Sequence, residues 1–273
     1  QELVEMELDF VLVTSTNYAH VEHVVAAANA GLHIFCEKPL ALSADDADRM
    51  IDAVESSDVI NVINYSFRFT DAYLQIKNLI DSGEMGQLLS ITSYNTRGYG
   101  LYAMGSPHRA VAGYEESGGW TLHQACHGID FMYWINGPIK QVYAAMQSTM
   151  PDNETEEVVM STLVFENGTI GQLGNSVCRL RDRYTQVIGT KAALILRGEN
   201  EASELWLHHE GEQNPERINA KDAKRPGGGM DHFLDCIRKG NPSPNSLRSA
   251  RHSMVVALAM GESALSGQVV MIT

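Results

Sequence analysis

The stretch from Asp9 to Pro39 limits the possible folds more than any other part of the chain. It holds an apolar run (Phe10 to Val13), a polar turn (Thr14-Ser15-Thr16-Asn17), a helical segment, a second apolar run (Ile34-Phe35-Cys36) and then Glu37-Lys38-Pro39. Val21, Val24, Val25 and Ala28 fall on one face of a helix over 18–30, and Gly31 ends it as a C-terminal glycine. Ser43, with Asp45 and Asp46 behind it, opens a second helix over 44–55, and Val59 to Ile63 reads as a third strand. Strands alternating with helices at this spacing form parallel β-α-β units.

After a helix over 71–81, stopped by Ser82-Gly83, the pattern changes. Alternating segments at 88–96, 140–147, 157–165, 169–177, 184–189, 192–197 and 204–208 read as strands. Asn167-Gly168 is the clearest hairpin turn among them. Consecutive hairpins predict a largely antiparallel sheet. One long helix, over about 119–135, interrupts it, and helices over 230–239 and 247–266 finish the chain. The expected fold class is therefore an α/β unit, a partial Rossmann-type parallel sheet, followed by an α+β unit with a large, mostly antiparallel open sheet. The expected boundaries are residues 1–86 and 87–246, with helix 247–266 packing back on the first unit.

Acidic side chains number 34 against 20 Lys and Arg, leaving a net charge of −14, which speaks against nucleic acid or an anionic membrane as partner. No run approaches the roughly 18 consecutive apolar residues of a membrane helix, and no basic, apolar leader opens the chain. A cytoplasmic protein is expected. Cys36, Cys126, Cys178 and Cys236 are widely separated and form no C-x-x-C, so neither a disulfide scaffold nor a clustered zinc site is expected.

Lys38 follows a predicted parallel strand, at the carboxyl edge where open α/β sheets place their ligands. An isolated Glu37-Lys38 would read as a solvated charge pair, but its place one strand after Thr16-Asn17 and His20 favours a functional lysine. His123 and His127, four apart, share one face of the predicted helix, with Asp130 three residues on. The pair lacks the glutamate of H-E-x-x-H, and acid/base work suits it better than metal binding, since an imidazole can exchange a proton near neutral pH. Hydrogen-bonded structural histidines are the alternative. Arg97, Tyr99, Tyr102, His108 and Arg109 make the segment around Gly98-Tyr99-Gly100 rich in hydrogen-bonding groups, which suits sugar recognition. His208-His209 and Gly227-Gly228-Gly229 read as exposed turns.

These residues resemble the Gfo/Idh/MocA family of NAD(P)-dependent oxidoreductases. The likeness is carried by Thr14 to His20, Gly31-x-His33, Cys36 to Pro39, Phe67-Arg68-Phe69, Ile80 to Gly86, Gly118-Gly119 to Asp130, Phe233 to Asp235 and Glu262 to Ala264. The resemblance implies hydride transfer between a sugar, polyol or cyclitol hydroxyl and the nicotinamide of NAD or NADP, in a homodimer or homotetramer formed through the large sheet. Lys38 matches the lysine that polarises the reacting oxygen, and His127 the usual proton acceptor. Thr14, Ser15, Thr16, Asn17, His20, Glu37, Lys38 and Pro39 match the cofactor side; on the substrate side the expected residues are Lys38, His123 and His127, with Arg97 and Tyr99 from the hydrogen-bonding loop. The ammonium of Lys38 and the imidazole of His127 are expected to converge on one carbinol.

Two departures accompany the resemblance. His123 stands where the family usually has aspartate, and Ala125 where it has glycine. The glycine-rich phosphate turn is absent as well, only nine residues preceding Phe10, so the chain reads as lacking its first Rossmann unit and supports only the nicotinamide end of the cofactor. Alternatives are a non-catalytic sugar-binding or assembly protein of the same fold, an NAD-dependent glycoside-cleaving relative, and a metal hydrolase using His123 and His127.

Overall fold

A computed structural model describes residues 6–97, 114–148, 155–177, 182–198, 203–223 and 227–273. The first apolar runs form three parallel strands, β1 (Phe10–Val13), β2 (His33–Cys36) and β3 (Asn61–Ile63), in the order β1-β2-β3. A 3-10 turn (Asn17–Ala19) leads into helix α1 (His20–Asn29), and α2 (Ala44–Ser56) makes the second crossover. Ser43 caps α2, its hydroxyl accepting from the Asp46 N–H at 3.1 Å. The strand expected over 59–63 shortens to three paired residues.

Helix α3 (Asp71–Asp81) leads into the second sheet through β4 (Leu88–Arg97). The sheet continues with β5 (Ile139–Gln147), β6 (Val158–Phe165), β7 (Ile170–Val177), β8 (Asp182–Gly189), β9 (Ala192–Arg197), β10 (Glu204–His209) and β11 (Glu216–Ile218). Its order is β11-β10-β9-β8-β4-β7-β6-β5-β12, with β12 (Val270–Met271) on the far edge. The sheet is mixed rather than wholly antiparallel: β4 lies at its centre, parallel to β7 and antiparallel to β8. β11 and β12 are too short to show as sequence periodicity. His208 and His209, read as turn residues, belong to β10, and His209 reaches Glu84 at 3.3 Å.

The long helix expected over 119–135 is two pieces, a π-helical turn (Thr121–Ala125) and α4 (Cys126–Asn136), preceded by a short helical turn (Tyr114–Ser117). Helices α5 (Gly229–Lys239) and α6 (Leu247–Ser266) close the chain. Gly229 is thus the first residue of a helix, with the Asp231 carboxylate accepting from the Gly228 N–H at 3.0 Å. α5 covers one face of the parallel sheet, Phe233 meeting Phe10 edge-on at 5.6 Å and Phe35 at 5.7 Å. α6 packs against α2 and β3 on the first unit and against α4 and β5 on the second. Its Met254, Val256 and Met260 are buried in a core that runs continuously through both sheets.

Several imidazoles are part of this packing. His252 of α6 lies against Tyr133 at 4.6 Å and accepts from the Ile139 N–H at 2.9 Å; burial holds its pKa below the ordinary value. His20 is wholly enclosed, and burial lowers its pKa against the opposing pull of the Pro39 and Ser15 carbonyls. Burial lowers both pKa values in the folded state, so the unfolded chain, whose rings protonate near pH 6.5, binds more protons and stability falls as pH drops below that value. The urea midpoint should therefore decrease between pH 7 and about pH 5, and less steeply in His252→Gln, which retains an acceptor for Ile139. A midpoint that is flat or rises on acidification would contradict this.

Candidate active site

The turns after β1 and β2 lie side by side at the carboxyl edge of the parallel sheet, tied together by His20. Its Nδ1 lies 2.9 Å from the Pro39 carbonyl oxygen and its Nε2 3.2 Å from that of Ser15. His20, expected from sequence among the cofactor-side residues, is fully buried and braces the two turns from beneath. Thr14 and Thr16 are exposed, and Ser15, Asn17, Glu37 and Lys38 are half-buried. The Glu37 carboxylate accepts from Asn64 Nδ2 at 2.7 Å, and the Lys38-Pro39 peptide is cis.

The decisive contact is made by Lys38. Its Nζ donates to the backbone carbonyl of His123 at 2.8 Å, joining the β2 turn to the helical segment of the second unit. The π-helical turn makes this possible, because its wider winding removes the regular i to i+4 pairing and turns carbonyls outward, a distortion common at functional sites. His123 and His127 therefore do not sit one regular α-turn apart, as their spacing predicts; the extra residue rotates His123 relative to α4. Lys38 is close enough to influence Cys126, whose thiol burial pushes up to about 12 against the opposing lysine charge.

The π turn is anchored at its start by Glu156, just before β6. One carboxylate oxygen accepts from the Thr121 N–H at 2.5 Å and the other from the Tyr114 hydroxyl at 2.6 Å. Gly119 packs so closely here that a Cβ would lie 2.5 Å from the Tyr114 ring and 2.8 Å from Glu156 Oε2, and its φ of +76° excludes most other residues. Asn17 Nδ2 donates to the Ser117 carbonyl at 2.8 Å, so the β1 turn also grips this segment.

His127 is buried, with its ring stacked on Phe67 at 5.2 Å and edge-on to Tyr65 at 6.1 Å. His123 is half-buried beside Trp120, with ring centroids 6.3 Å apart. Three residues past His127, Asp130 is fully enclosed and forms a two-pronged pair with Arg68, at 2.8 Å to Nε and 2.6 Å to Nη2. Burial pushes this carboxyl up and the Arg68 guanidinium opposes the shift. Ser253 of α6 adds a donor at 3.4 Å, so the pair locks α4 to the segment after β3 and to α6. Tyr99, together with Tyr102, His108 and Arg109, lies outside the described residues, as does the side chain of Arg97.

Two features of the sequence carried signals that motif reading passed over. Ser93, Asn95, Asn175, Arg183 and Thr185 occupy inward positions of β4, β7 and β8 where the alternation would place apolar residues. Glu156, a buried acid at a strand start, had no such signal.

The sequence comparisons agree with this architecture. Residues 1–65 match the oxidoreductase family with an NAD-binding Rossmann fold, and residues 73–195 match the GFO/IDH/MocA C-terminal domain. The chain belongs to the GFO/IDH/MocA family. It is 36% identical over 164 residues to the inositol 2-dehydrogenase of Salmonella typhimurium, covering 58% of this chain and 46% of that protein. It is 29% identical over 223 residues to the myo-inositol 2-dehydrogenase of Thermotoga maritima, covering 78% and 64%. The chain thus spans about half the length of the Salmonella relative it matches. A levoglucosan dehydrogenase structure solved with NADH and levoglucosan shares the GFO/IDH/MocA fold at a TM-score of 0.87 and 21% identity, covering 99% of this chain and 82% of that one. Among the described residues no helix is long and apolar enough to cross a membrane.

Because the Arg68 and Asp130 charges are both out of water, removing one strands the other. Asp130→Asn is expected to lower unfolding stability by roughly 3–5 kcal/mol, read by urea denaturation. A loss below about 1 kcal/mol, the range of a surface pair, would contradict a structural role for this pair.

Proposed function

We propose that the protein acts as an NAD- or NADP-dependent oxidoreductase on a hydroxyl of a sugar, polyol or cyclitol. The observation that carries the reading is the 2.8 Å bond from Lys38 Nζ to the His123 carbonyl, which brings the lysine of Glu37-Lys38-Pro39 to the helical segment that bears His127. Residues 1–86 act as the cofactor side and residues 87–246 as the substrate and assembly side, with α6 spanning both.

The donor set at the carboxyl edge fits the nicotinamide end of a dinucleotide. Thr14 and Thr16 offer exposed hydroxyls, and Ser15, Asn17 and Glu37 add polar groups beside them, with His20 and Pro39 fixing the backbone beneath. When bound, the nicotinamide supplies the hydride acceptor or donor. Lys38 stabilises the negative charge that develops on the substrate oxygen, and His127 takes the hydroxyl proton during oxidation and returns it during reduction. His123, in the position of the family's aspartate, presents a ring instead of a carboxylate to the substrate side. Lys38 is charged and partly desolvated, so its field at the reacting oxygen is stronger than it would be in water.

The setting is cytoplasmic, and assembly is a dimer or tetramer through the uncovered face of the large sheet. That face displays Tyr143, Met160 and Ile170 at 48%, 51% and 42% exposure, more apolar surface than a solvated sheet needs.

Lys38→Met should lower kcat/KM by about 10²–10³-fold with circular dichroism and melting unchanged. His127→Asn should lower it by about 10²–10⁴-fold and flatten the rise of the oxidation rate with pH, since the imidazole must be neutral to accept a proton. Wild-type turnover in either correctly folded variant would remove the assignment.

A further inference from the structure

The segment that follows β3 carries three inward side chains in quick succession: Tyr65 is 0%, Phe67 5% and Arg68 7% exposed. All three meet α4. Arg68 pairs with Asp130. Tyr65 lies edge-on to the His127 ring at 6.1 Å, and the Phe67 ring lies nearly parallel to it, at 5.2 Å and 25°. His127 and Asp130 stand three apart on the helix and so share a face. One short piece of the first unit thus holds that face at two points, by charge at Asp130 and by flat rings at His127.

A helix fixes where an imidazole starts but not how its ring is turned, because the torsion that carries the ring is broad. Neighbours set the plane, and a nearly parallel phenyl face does so directly: turning the imidazole about its Cβ–Cγ bond drives its edge into Phe67. Phe67 is braced in turn. It stacks on Tyr73 of α3 at 4.3 Å and 10°, and Tyr73 meets Phe131 of α4 edge-on at 4.7 Å and 72°. Phe131 is four residues beyond His127, so the chain of rings leaves α4 and returns to it one turn later. The Arg183 guanidinium, 4.8 Å from the Phe67 ring, adds a contact from the large sheet. A leucine at position 67 would keep the site apolar and nearly filled but would offer no flat face.

We infer that Phe67 is a positioning residue for His127: its ring, held by Tyr73, presents the imidazole to the substrate hydroxyl in one orientation. The inference rests on the oxidoreductase reading, in which His127 exchanges that hydroxyl's proton. Proton transfer needs the two heavy atoms aligned and within hydrogen-bonding reach, so an imidazole left to turn loses rate without losing substrate affinity.

Nuclear magnetic resonance of histidine-labelled protein at about pH 8, where ordinary imidazoles are neutral, reads the orientation directly. The carbon-bound ring protons of His127, assigned by their loss in His127→Asn, should lie upfield of those of exposed histidines and move downfield in Phe67→Leu, because the phenyl face shields them. Kinetics with NAD⁺ or NADP⁺ and whichever of myo-inositol, D-glucitol and D-glucose the chain oxidises should show kcat lower by about tenfold to a hundredfold in Phe67→Leu, with KM within about threefold of wild type. Phe233→Leu, which removes a ring from the separate cluster around Phe35 and Val62, should change neither constant by more than about twofold. If Phe67→Leu does not fold, or none of the three is oxidised, the wild-type resonance decides alone. Unshifted His127 protons, an unchanged kcat in Phe67→Leu, or an equal loss in Phe233→Leu would overturn the inference. Full turnover in Phe67→Leu beside slow turnover in His127→Asn would sink it while leaving the oxidoreductase reading standing, whereas full turnover in His127→Asn would remove both.

Discussion

A single hydrogen bond, from the Lys38 ammonium to the His123 carbonyl, joins the two halves of the candidate site. The lysine belongs to a turn braced by a buried histidine, and the carbonyl to a π turn. Neither half forms the site alone. The geometry of that contact therefore depends on whatever positions the two units against each other.

Three devices do so, at different depths. The Arg68–Asp130 pair is fully internal and links α4 to the segment after β3. α6 packs against both sheets and adds Ser253 to the same carboxylate. Glu156, itself buried, and the half-buried Asn17 both hold the segment leading into the π turn. A charged pair in the interior is a weak source of stability but a strong specifier of arrangement, because any slippage leaves charge without a partner. At the surface, the ion pairs of α6 with Glu55 and Asp48 fasten it to α2, and these charges are solvated enough to adjust.

The parallel unit was legible in the sequence because its signals are local. Apolar runs, the Ser43 cap and the Gly31 stop each act within a few residues, and they place β1, α1, β2 and α2 closely. The second sheet was legible as strands but not as a topology: the parallel pairing of β4 with β7 joins residues about 80 positions apart, and no local pattern records it. The break between the π turn and α4 was hidden because the stretch over about 119–135 reads as one helix by propensity, and the Glu156 contact that anchors the turn at Thr121 comes from far along the chain. Lys38 and His127 were legible as candidates, whereas the burial of His20 beneath the two turns was not, because a motif shows which residues recur and not which way they face.

A crystal structure of the protein with a nicotinamide cofactor and a polyhydroxy substrate bound is the most direct test of the joined site. Lys38 Nζ and a His127 ring nitrogen should both lie within hydrogen-bonding reach of one carbinol oxygen, with the lysine still touching the helical segment at His123. A substrate whose reacting oxygen met only one of them, or neither, would contradict it.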